Sequence, residues 1–577
     1  MRLAPKPVKA MMVRRRERIV RSLRESGRIE AALGLRLRLQ VWSGRSLALL
    51  SGPVRIRLQA RVPEGSRLFP VWHRRHWWLA NPDERLVVAE VMRANLDLTA
   101  GLLEAAGVRY FPVPIASVNR YRLCVAEADR RRATEALAAL GDPGVYVYLD
   151  DRRLAGRRVS TVRTGFRARR GLRQAEVWRV YRNYADPGGR TVLGDLHGCE
   201  IEFWAEERLD GGRPHLIATR WNKKVSSVAI DDPLKERVTV AGRSLPSVKE
   251  RVHARFFDEV EFPVDLVYTW VDGSDPAWRD RKNGVLRELD LPALNVNAHN
   301  EARFKSRDEL KYSLRSVAAF ADFVNHVWIV TDDQIPAWLD LANPRVTVVD
   351  HKEIFGDSGR LPTFNSHAIE ARLHHIEGLA EHYVYLNDDM FFGRRIVPET
   401  FFLSNGLSLF FPSTALMGLG PASKDVEPVD AAAKNGRDLV HGRFGCVVSQ
   451  KFRHAPYAQR RSVLLEMEEE FSEQFERTAA AQLRSPTDLA VASSFYHYYA
   501  YLTGRAVRGT ITSSYVDLGA PGLDRVLYAL TQRRDFDVCC LNDTVTDPER
   551  AEIEQRLVEE FFDRYFPVKS EFELREP

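Results

Sequence analysis

Between residues 264 and 389, four short apolar segments each run into one or two aspartates, and this repetition limits the folds open to the chain. The segments are 264–271, 326–330, 345–349 and 382–386. They are rich in β-branched and aromatic residues, which is typical of strands, and stretches with helical spacing separate them. Strands that alternate with helices in this way form a parallel sheet covered on both faces. The sequence therefore predicts an α/β domain with a mostly parallel sheet.

Two of the separating stretches have the periodicity of amphipathic helices. Residues 307–320 place apolar side chains at Leu310, Leu314 and Val317. Residues 366–379 show the same spacing at Ile369, Leu373, Ile376 and Leu379. Because these residues recur every three or four positions, they lie on one face of a helix. We expect both helices to pack against the sheet through that face.

The aspartates that follow the four segments should lie close together, because parallel strands end at the same edge of their sheet. They are Asp272 with Asp275, Asp332 with Asp333, Asp350, and Asp388 with Asp389. Such an edge is strongly negative, and a divalent cation with oxygen ligands would neutralise it. Asp388 and Asp389 are the predicted ligands for Mg²⁺ or Mn²⁺. Read alone, their Asn-Asp-Asp triplet is weak, since these residues also begin turns and cap helices.

The basic residues of the chain are concentrated at its start. The 577 residues carry a formal net charge of +7, and residues 1–50 contain 13 Lys and Arg against three acids. The remainder is therefore slightly acidic. Such an arm can lie on an anionic membrane surface, and the alternative is a solvated helix face or tail. The arginines are not interleaved with a run of aromatic residues, so we do not expect nucleic-acid binding.

The five cysteines are scattered and include no CxxC pair, which argues against a cysteine zinc site and against a disulfide framework. Cys539 and Cys540 fit an apolar strand.

The first residues lack the apolar segment of a secretion signal. The most apolar later stretch, 407–422, is interrupted by Ser, Pro and Gly and falls short of a membrane span. We expect a cytoplasmic protein that can also be membrane-peripheral.

A chain of this length should contain more than one domain. We expect a basic arm over 1–60, a smaller α+β region of unknown role over 61–255, and a catalytic region over 256–577. In the last region a Rossmann-like sheet precedes a helical C-terminal part. Within the α+β region a helix is predicted over 129–140, and strands are predicted over 121–126, 145–149, 176–184, 199–206 and 215–221.

Three further polar residues combine with the acidic edge into one kind of chemistry. Glu370 precedes Asp389 by 19 residues, and Arg484 follows His454 by 30. Each of them alone is more often structural. Phosphoryl transfer, however, needs carboxylates that hold a metal, a base for a hydroxyl proton and an arginine that neutralises charge. Spacing therefore predicts a metal-dependent site for a phosphorylated substrate, and it leaves the base open between His454 and Glu370.

Four segments of the chain carry distinctive motifs. The first is DLVYTWVDGSD at 265–275, and the second runs from RFKSRDELKYSLRS at 303–316 through IPAW and LPTF to YLNDDMFFG at 385–393. The third covers 454–499, and the fourth is CLND at 540–543 with FP and FEL beyond it. In this order they resemble the four conserved regions of the Stealth family of hexose-phosphate transferases. That family includes bacterial capsule and exopolysaccharide phosphotransferases and the animal enzyme that adds N-acetylglucosamine-1-phosphate to lysosomal glycoproteins.

The resemblance implies roles for particular residues. The family's catalytic quartet falls on Glu370, Asp389, His454 and Arg484, with the family's spacings. The residues implied to help hold the nucleotide are Asp272, Gly273, Ser274 and Asn542. Some members have a second histidine where this chain has Tyr457, which favours His454 as the catalytic residue. The chain has no room for the inserted modules of the animal enzyme, so it resembles the bacterial members.

The function that the resemblance implies is transfer of a sugar-1-phosphate from a nucleoside-diphosphate-sugar to a glycan hydroxyl, in exopolysaccharide or capsule synthesis. The reaction would form a phosphodiester and release a nucleoside monophosphate, with Mg²⁺ or Mn²⁺ as cofactor. Two alternatives stay open. A metal-dependent glycosyltransferase would attack the anomeric carbon and release a nucleoside diphosphate, and a non-catalytic glycan- or nucleotide-binding protein would use the same scaffold without turnover.

Overall fold

A computed structural model describes residues 51–574 of the chain with internal gaps. The residues within that range that it leaves undescribed are 75, 151–156, 161–171, 210–211, 231–233, 235, 250–255, 290–303, 305 and 544–550. The first 50 residues, which contain most of the predicted basic arm, lie outside the described part.

The first described region is built on a mixed sheet. Its strands are β1 (Phe69–His73), β2 (His76–Pro82), β3 (Tyr110–Pro112), β4 (Arg122–Ala126), β5 (Val145–Asp150), β6 (Arg157–Ser160), β7 (Val177–Ala185), β8 (Val192–Leu193), β9 (Cys199–Leu209), β10 (Arg213–Ile217) and β11 (Ser227–Ala229). A separate hairpin consists of β12 (Glu236–Val240) and β13 (Arg243–Ser247). The helices are α1 (Gly52–Gln59), α2 (Val88–Ala105) and α3 (Arg130–Ala139). The five predicted strands and the predicted helix are confirmed, with ends that shift by at most four residues.

The second region contains the predicted parallel sheet and several small ones. Its strands are β14 (Val264–Thr269), β15 (Val324–Thr331), β16 (Val346–Asp350), β17 (His382–Asn387), β18 (Met390–Phe392), β19 (Ser408–Phe410), β20 (Pro412–Leu416), β21 (Gln450–Phe452), β22 (Tyr457–Arg460), β23 (Ala506–Arg508), β24 (Ser513–Asp517) and β25 (Val538–Asn542). The main sheet has the order β16-β15-β14-β17-β22, in which the first four strands are parallel and β22 is antiparallel. The prediction of an α/β fold with a mostly parallel sheet is confirmed.

Helices cover this sheet and form much of the part that follows it. They are α4 (Pro276–Glu288), α5 (Glu309–Phe320), α6 (His351–Phe355), α7 (Ser366–Glu370), α8 (Pro428–Phe444), α9 (Arg461–Glu470), α10 (Ser472–Ala479), α11 (Tyr496–Leu502), α12 (Leu523–Arg533) and α13 (Ala551–Tyr565). The predicted face of α5 is buried, since Leu310, Leu314 and Val317 are all at most 1% exposed. Burial of this stripe explains why the segment folds as a helix on the sheet.

The first region has its own hydrophobic core, and a few of its residues also pack into the core of the second region. Leu86, Met92 and Leu193 of the first region belong to the same buried cluster as the strands of the parallel sheet. The Thr191 hydroxyl also donates to the backbone carbonyl of Arg564 over 2.9 Å. The α+β region is therefore packed against the second region through apolar contacts and through polar bonds.

The helix predicted over 366–379 is wrong in its second half. Helix α7 ends at Glu370, and the chain continues as a turn and a short 3₁₀ segment, Leu373–His375. Two consecutive imidazoles of that segment, those of His374 and His375, bond to Glu468 of α9. Both imidazoles thus meet one carboxylate of a helix that is distant in sequence, a contact that the apolar periodicity of 366–379 does not include. The structure of this segment therefore follows a tertiary contact and not the helix that its apolar periodicity predicted.

The apolar stretch 407–422 contains the short strands β19 and β20 rather than a helix. In the part of the chain that the structure describes, no helix has both the length and the apolar character needed to cross a membrane.

A buried ion pair joins α5 to the segment after α13. The Arg315 guanidinium donates two hydrogen bonds to the Glu573 carboxylate, over 2.8 and 2.7 Å, and the two side chains are 9% and 3% exposed. Removing one partner leaves the other charge buried and unpaired. We expect Glu573→Ala to lower the unfolding temperature, by an amount that corresponds to about 3–5 kcal/mol. Differential scanning calorimetry would measure it.

Glu571 provides the matched control, because its bond to Arg345 lies at the surface, where side-chain exposure is 36% and 48%. We expect Glu571→Ala to cost at most about 1 kcal/mol. Burial works to raise the pKa of Glu573, but the bonds and charge of Arg315 outweigh burial and lower it. The stabilisation by Glu573 is therefore present above the ordinary carboxylate pKa and is lost as the pH falls through the lowered one. Equal destabilisation by the two variants would contradict this assignment.

Candidate active site

Asp389 lies in the turn between β17 and β18, where the chain leaves the main sheet for a smaller one. In the smaller sheet Met390 is the register partner of Cys540, and this pairing places the Cys540 thiol 3.2 Å from Oδ2 of Asp389. The other carboxylate oxygen, Oδ1, is buried and has no hydrogen-bond partner among the described residues. Burial raises the pKa of Asp389, and the nearby His454 opposes that rise. Cys540 is thus a buried strand residue, as predicted, whose thiol also reaches the site.

Asp388 lies near a carboxylate that the sequence did not single out, that of Glu309 in the first turn of α5. Burial and then the charge of Glu309 raise the pKa of Asp388. Burial also raises the pKa of Glu309 to about 7, although its carboxylate accepts the backbone N–H of Arg307 over 2.5 Å. The Arg307 guanidinium bonds on its other side to Asp543, over 2.7 Å. With Asp389, three carboxylates share a buried corner in which a bound cation would be stabilising.

His454 reaches Asp389 because β22 runs antiparallel to β17. Tyr457, the first residue of β22, is the register partner of Tyr385, so the residues before Tyr457 continue past the carboxyl end of β17. Ligand atoms of Asp389, His454 and Cys540 all lie within 4.8 Å of one another. The Tyr457 hydroxyl lies 3.3 Å from Nδ1 of His454. Burial lowers the pKa of His454, with Asp389 opposing, and an uncharged imidazole is suited to accept a proton.

Glu370 and Arg484 meet because the loop that carries Arg484 is tied to the start of α7. Asn365, the N-cap of α7, donates its side-chain N–H to the buried Asp488 carboxylate over 2.9 Å. The Arg484 guanidinium donates to the Ser366 hydroxyl over 2.8 Å. Burial lowers the pKa of Arg484, and the charges of Glu370 and Asp488 oppose that effect. The guanidinium is therefore half-buried, bonded to Ser366 and within the electrostatic influence of the Glu370 carboxylate.

Two tyrosines lie between the two pairs just described. The rings of Tyr385 and Tyr457 stack with their centroids 6.2 Å apart. Burial raises the pKa of both hydroxyls, and the charge of Glu370 is the next largest cause for each. The Tyr385 hydroxyl is also 3.0 Å from that of Thr269, at the end of β14. All four predicted catalytic residues therefore lie around the carboxyl end of β17.

The other acidic strand ends have local partners and do not add ligands at this corner. Asp275 caps α4, and Asp350 caps α6 in a capping box with Glu353. Asp332 pairs with Arg281 over 2.8 Å. The four strand ends do share one sheet edge, as predicted. The carboxylates of Asp275 and Asp350 are nevertheless neutralised by helix N-termini, and that of Asp332 by an arginine. Fewer carboxylates are therefore available to a cation than the sequence predicted.

The loop predicted to hold the nucleotide follows β14, which is adjacent and parallel to β17, so it lies at the same sheet edge as Asp389. Oδ1 of Asp272 accepts the backbone N–H and the hydroxyl of Ser274 over 2.8 and 2.6 Å. Gly273 donates its N–H to the carbonyl of Phe304, and a Cβ there would lie 2.3 Å from that oxygen. Only glycine permits this close approach, which fixes the shape of the loop.

Asn542, at the end of β25, is linked to His454 through Tyr515. Its side-chain N–H donates to the Tyr515 hydroxyl over 2.5 Å, and the Tyr515 ring meets the His454 ring edge-on at 5.9 Å. Tyr515 is 52% exposed, so its ring offers a surface against which a sugar or a base can pack. Tyr515 lies outside the four sequence motifs, and Glu309 lies within the second of them without a role that is evident before the fold is known.

The residues present fit a divalent cation held by oxygens. Oδ1 of Asp389 is buried without a hydrogen-bond partner among the described residues, and the carboxylates of Asp388 and Glu309 are close by. Carboxylate oxygens of this kind suit Mg²⁺ and Mn²⁺. His454 and Cys540 border the Asp389 carboxylate, but an imidazole and a thiol are not donors that Mg²⁺ prefers, so the carboxylates are the candidate ligands.

Four family models match the chain, and they cover the site residues predicted from the sequence. They are Stealth protein conserved region 1 at 262–290, conserved region 2 at 303–410, conserved region 3 at 453–501 and conserved region 4 at 529–577. Region 2 contains Glu370 and Asp389, and region 3 contains His454 and Arg484. The predicted site residues thus fall inside the matched segments.

Similar whole proteins extend the match beyond those segments. The chain is 42% identical over 585 residues to an exopolysaccharide phosphotransferase of Streptomyces coelicolor, covering 92% of this chain and 97% of that protein. It is 38% identical to exopolysaccharide phosphotransferase CpsY of Mycobacterium tuberculosis, over 69% of this chain and 73% of that protein. Among solved structures it is similar to the galactosyltransferase LgtC, with 12% identity and a TM-score of 0.26 over 52% of this chain and 95% of that one.

Proposed function

The chain belongs to the Stealth family and is a transferase, and from that premise we propose that it transfers a sugar-1-phosphate from a nucleoside-diphosphate-sugar to a hydroxyl of a glycan. A sugar phosphotransferase role follows from the relatives. The donor, the product and the acceptor polysaccharide are the proposal. The observation that carries it is the grouping of Asp389 with His454 and of Glu370 with Arg484 around one strand end.

In the proposed reaction the acceptor hydroxyl oxygen attacks the sugar-bearing phosphorus. A new P–O bond forms, the bond from that phosphorus to the bridging oxygen breaks, and the nucleoside monophosphate leaves with the bridging oxygen. The hydroxyl proton passes to His454, because its imidazole is uncharged and one ring nitrogen is held by Tyr457. This step needs positioning and charge neutralisation more than covalent chemistry.

Arg484 neutralises the charge that develops on the equatorial oxygens of the transferred phosphoryl group. The Ser366 hydroxyl orients its guanidinium through a hydrogen bond, and the charge of Glu370 favours its protonated form. Glu370 then acts by holding the arginine and by orienting the acceptor. Because the site is half-buried, these charges interact more strongly than they would in water.

Asp389, with Asp388 beside it, would hold Mg²⁺ or Mn²⁺ against the diphosphate, and the cation would supply charge neutralisation there. The Asp272–Gly273–Ser274 loop and Asn542 flank this position from the neighbouring strands, which suits binding of the nucleotide. Tyr515 offers the adjoining ring surface for a sugar.

The released nucleotide tests this proposal. Purified protein with a panel of labelled nucleotide-sugars, a glycan acceptor and Mg²⁺ or Mn²⁺ should release nucleoside monophosphate, because the P–O–P bridge is the bond that breaks. Chromatography with phosphorus NMR of the glycan would identify both products. Release of nucleoside diphosphate would instead indicate attack at the anomeric carbon by a glycosyltransferase. Binding of the donor without any turnover would indicate a non-catalytic binding protein.

A further inference from the structure

A second cluster of metal-ligating side chains lies outside the site described above. His374 and His375, in the 3₁₀ segment after α7, both place Nε2 next to Oε2 of Glu468 in α9, over 2.7 and 2.6 Å. The three ligand atoms lie within 4.8 Å of one another. The His374 side chain is fully buried, and that of His375 is 30% exposed. The cluster therefore has one buried ligand and two that are partly exposed to solvent.

The surroundings hold these ligands in place. Arg372 donates to the other carboxylate oxygen of Glu468, Oε1, and to the backbone carbonyl of Ile354. The backbone carbonyl of His374 accepts the Arg461 guanidinium over 2.9 Å. A carboxylate with one oxygen fixed by an arginine and the other directed at two imidazoles has the outer support typical of a metal ligand. A metal-free cluster of hydrogen bonds and ion pairs would have the same contacts, and metal titration distinguishes it from a metal site.

We propose that His374, His375 and Glu468 form a binding site for Zn²⁺ or a similar borderline divalent cation. Two imidazoles and one carboxylate are a donor set that binds zinc with one coordination position left over. Bonds of about 2.0–2.1 Å at tetrahedral angles place ligand atoms about 3.3 Å apart, so each nitrogen would move from the oxygen by about 0.6 Å. Because His374 is fully buried, the movement would come from the His375 and Glu468 side chains, which are 30% and 20% exposed. Mg²⁺ does not fit, because it prefers oxygen ligands in octahedral geometry.

A cation at this position would tie two elements that flank the candidate active site. His374 follows Glu370 by four residues, and Glu468 belongs to α9, which directly follows β22. The cation would therefore fix the turn behind Glu370 against α9. This role is stabilising and does not depend on the proposed transfer reaction, so either proposal can fail without the other.

Cobalt(II) distinguishes this cluster from the donors around Asp389. The test uses the full chain freed of metal by a chelator, with His454→Ala and Cys540→Ser introduced to remove the softer donors of the candidate active site. Titration with Co²⁺ should give the intense visible bands of a four- or five-coordinate ion at one equivalent, without a thiolate-to-cobalt charge-transfer band. Zn²⁺ should abolish these bands by competition, and the unfolding temperature should rise with added Zn²⁺.

His375→Ala in the same background removes one ligand, and His441→Ala is the matched control, because His441 is exposed on α8 and is not one of the cluster's ligands. We expect His375→Ala to weaken Co²⁺ binding at least about tenfold and to remove the Zn²⁺-dependent rise in unfolding temperature. His441→Ala should leave both unchanged. Equal Co²⁺ affinity in the two variants, or no binding in the background protein, would overturn the proposal in favour of a hydrogen-bonded ion cluster.

Discussion

Asp389→Asn is expected to lower kcat by at least about 10²–10³-fold, the loss that follows removal of one buried electrostatic contact to a transition state. The substitution keeps the shape of the side chain but removes the negative charge that is predicted to hold the cation. Since burial raises the pKa of Asp389, the carboxylate is costly to bury. The unfolding temperature should therefore stay the same or rise while the activity falls. Initial rates with saturating donor and calorimetry measure the two effects.

Asp350→Asn is the matched control for this substitution. Asp350 ends the neighbouring strand β16 at the same sheet edge, but its carboxylate caps α6 through the backbone N–H of Lys352. Asparagine is about as good a helix cap as aspartate. We expect its kcat to remain within about twofold of the parent protein. If Asp350→Asn lost as much activity as Asp389→Asn, the acids would be acting through the field of the whole edge and not through a specific site.

Arg484→Lys should lower kcat/KM by about 10²–10³-fold, although it preserves the positive charge. A lysine ammonium is a point charge and lacks the planar fork with which arginine contacts two phosphoryl oxygens. It would also lose the present bond to Ser366. The loss should appear mainly in kcat, because the phosphoryl charge develops in the transition state. Steady-state kinetics with varied donor concentration separate kcat from KM.

Two further variants give this prediction its controls. Arg477→Lys changes an exposed arginine of α10, whose nearest acid is Glu473 at 3.9 Å, and it should leave both kinetic constants unchanged. Ser366→Ala removes one contact that orients Arg484 and should cost less than Arg484→Lys itself. A rise in KM with an unchanged kcat for Arg484→Lys would mean that Arg484 binds the ground state of the donor and does not stabilise the transition state.

Local sequence signals were sufficient for the parallel sheet. The segment that became β17 is buried over its first five residues and ends at Asn387, and the apolar face predicted for α5 is the one that is buried. The secondary structure of such segments can be predicted because it follows the pattern of apolar residues within a short stretch of sequence. The helix predicted over 366–379 failed because Glu468, some 93 residues away, binds two adjacent imidazoles of that segment. No local pattern contains that contact.

The candidate site divides in the same way. Asp389, His454 and Arg484 could be identified because their motifs resemble those of a family, and the structure brings them to one strand end. Cys540 and Glu309 also lie in these motifs, but their places beside Asp389 and Asp388 could not be predicted, because they depend on the pairing of β18 with β25 and on the packing of α5. The acidic strand ends were predicted at one edge correctly, but helix caps account for Asp275 and Asp350. Whether an aspartate caps a helix or remains available to bind a cation depends on where the next helix begins.

The pairing of β18 with β25 also bears on when a nascent chain can become active. It joins residues 151 positions apart at Asp389 and Cys540, and the Arg315–Glu573 pair spans 258 positions. Contacts of such sequence separation form late, because the entropy of closing the loop must be met before they contribute. The corner around Asp389 can therefore be completed only after residue 540 has been synthesised.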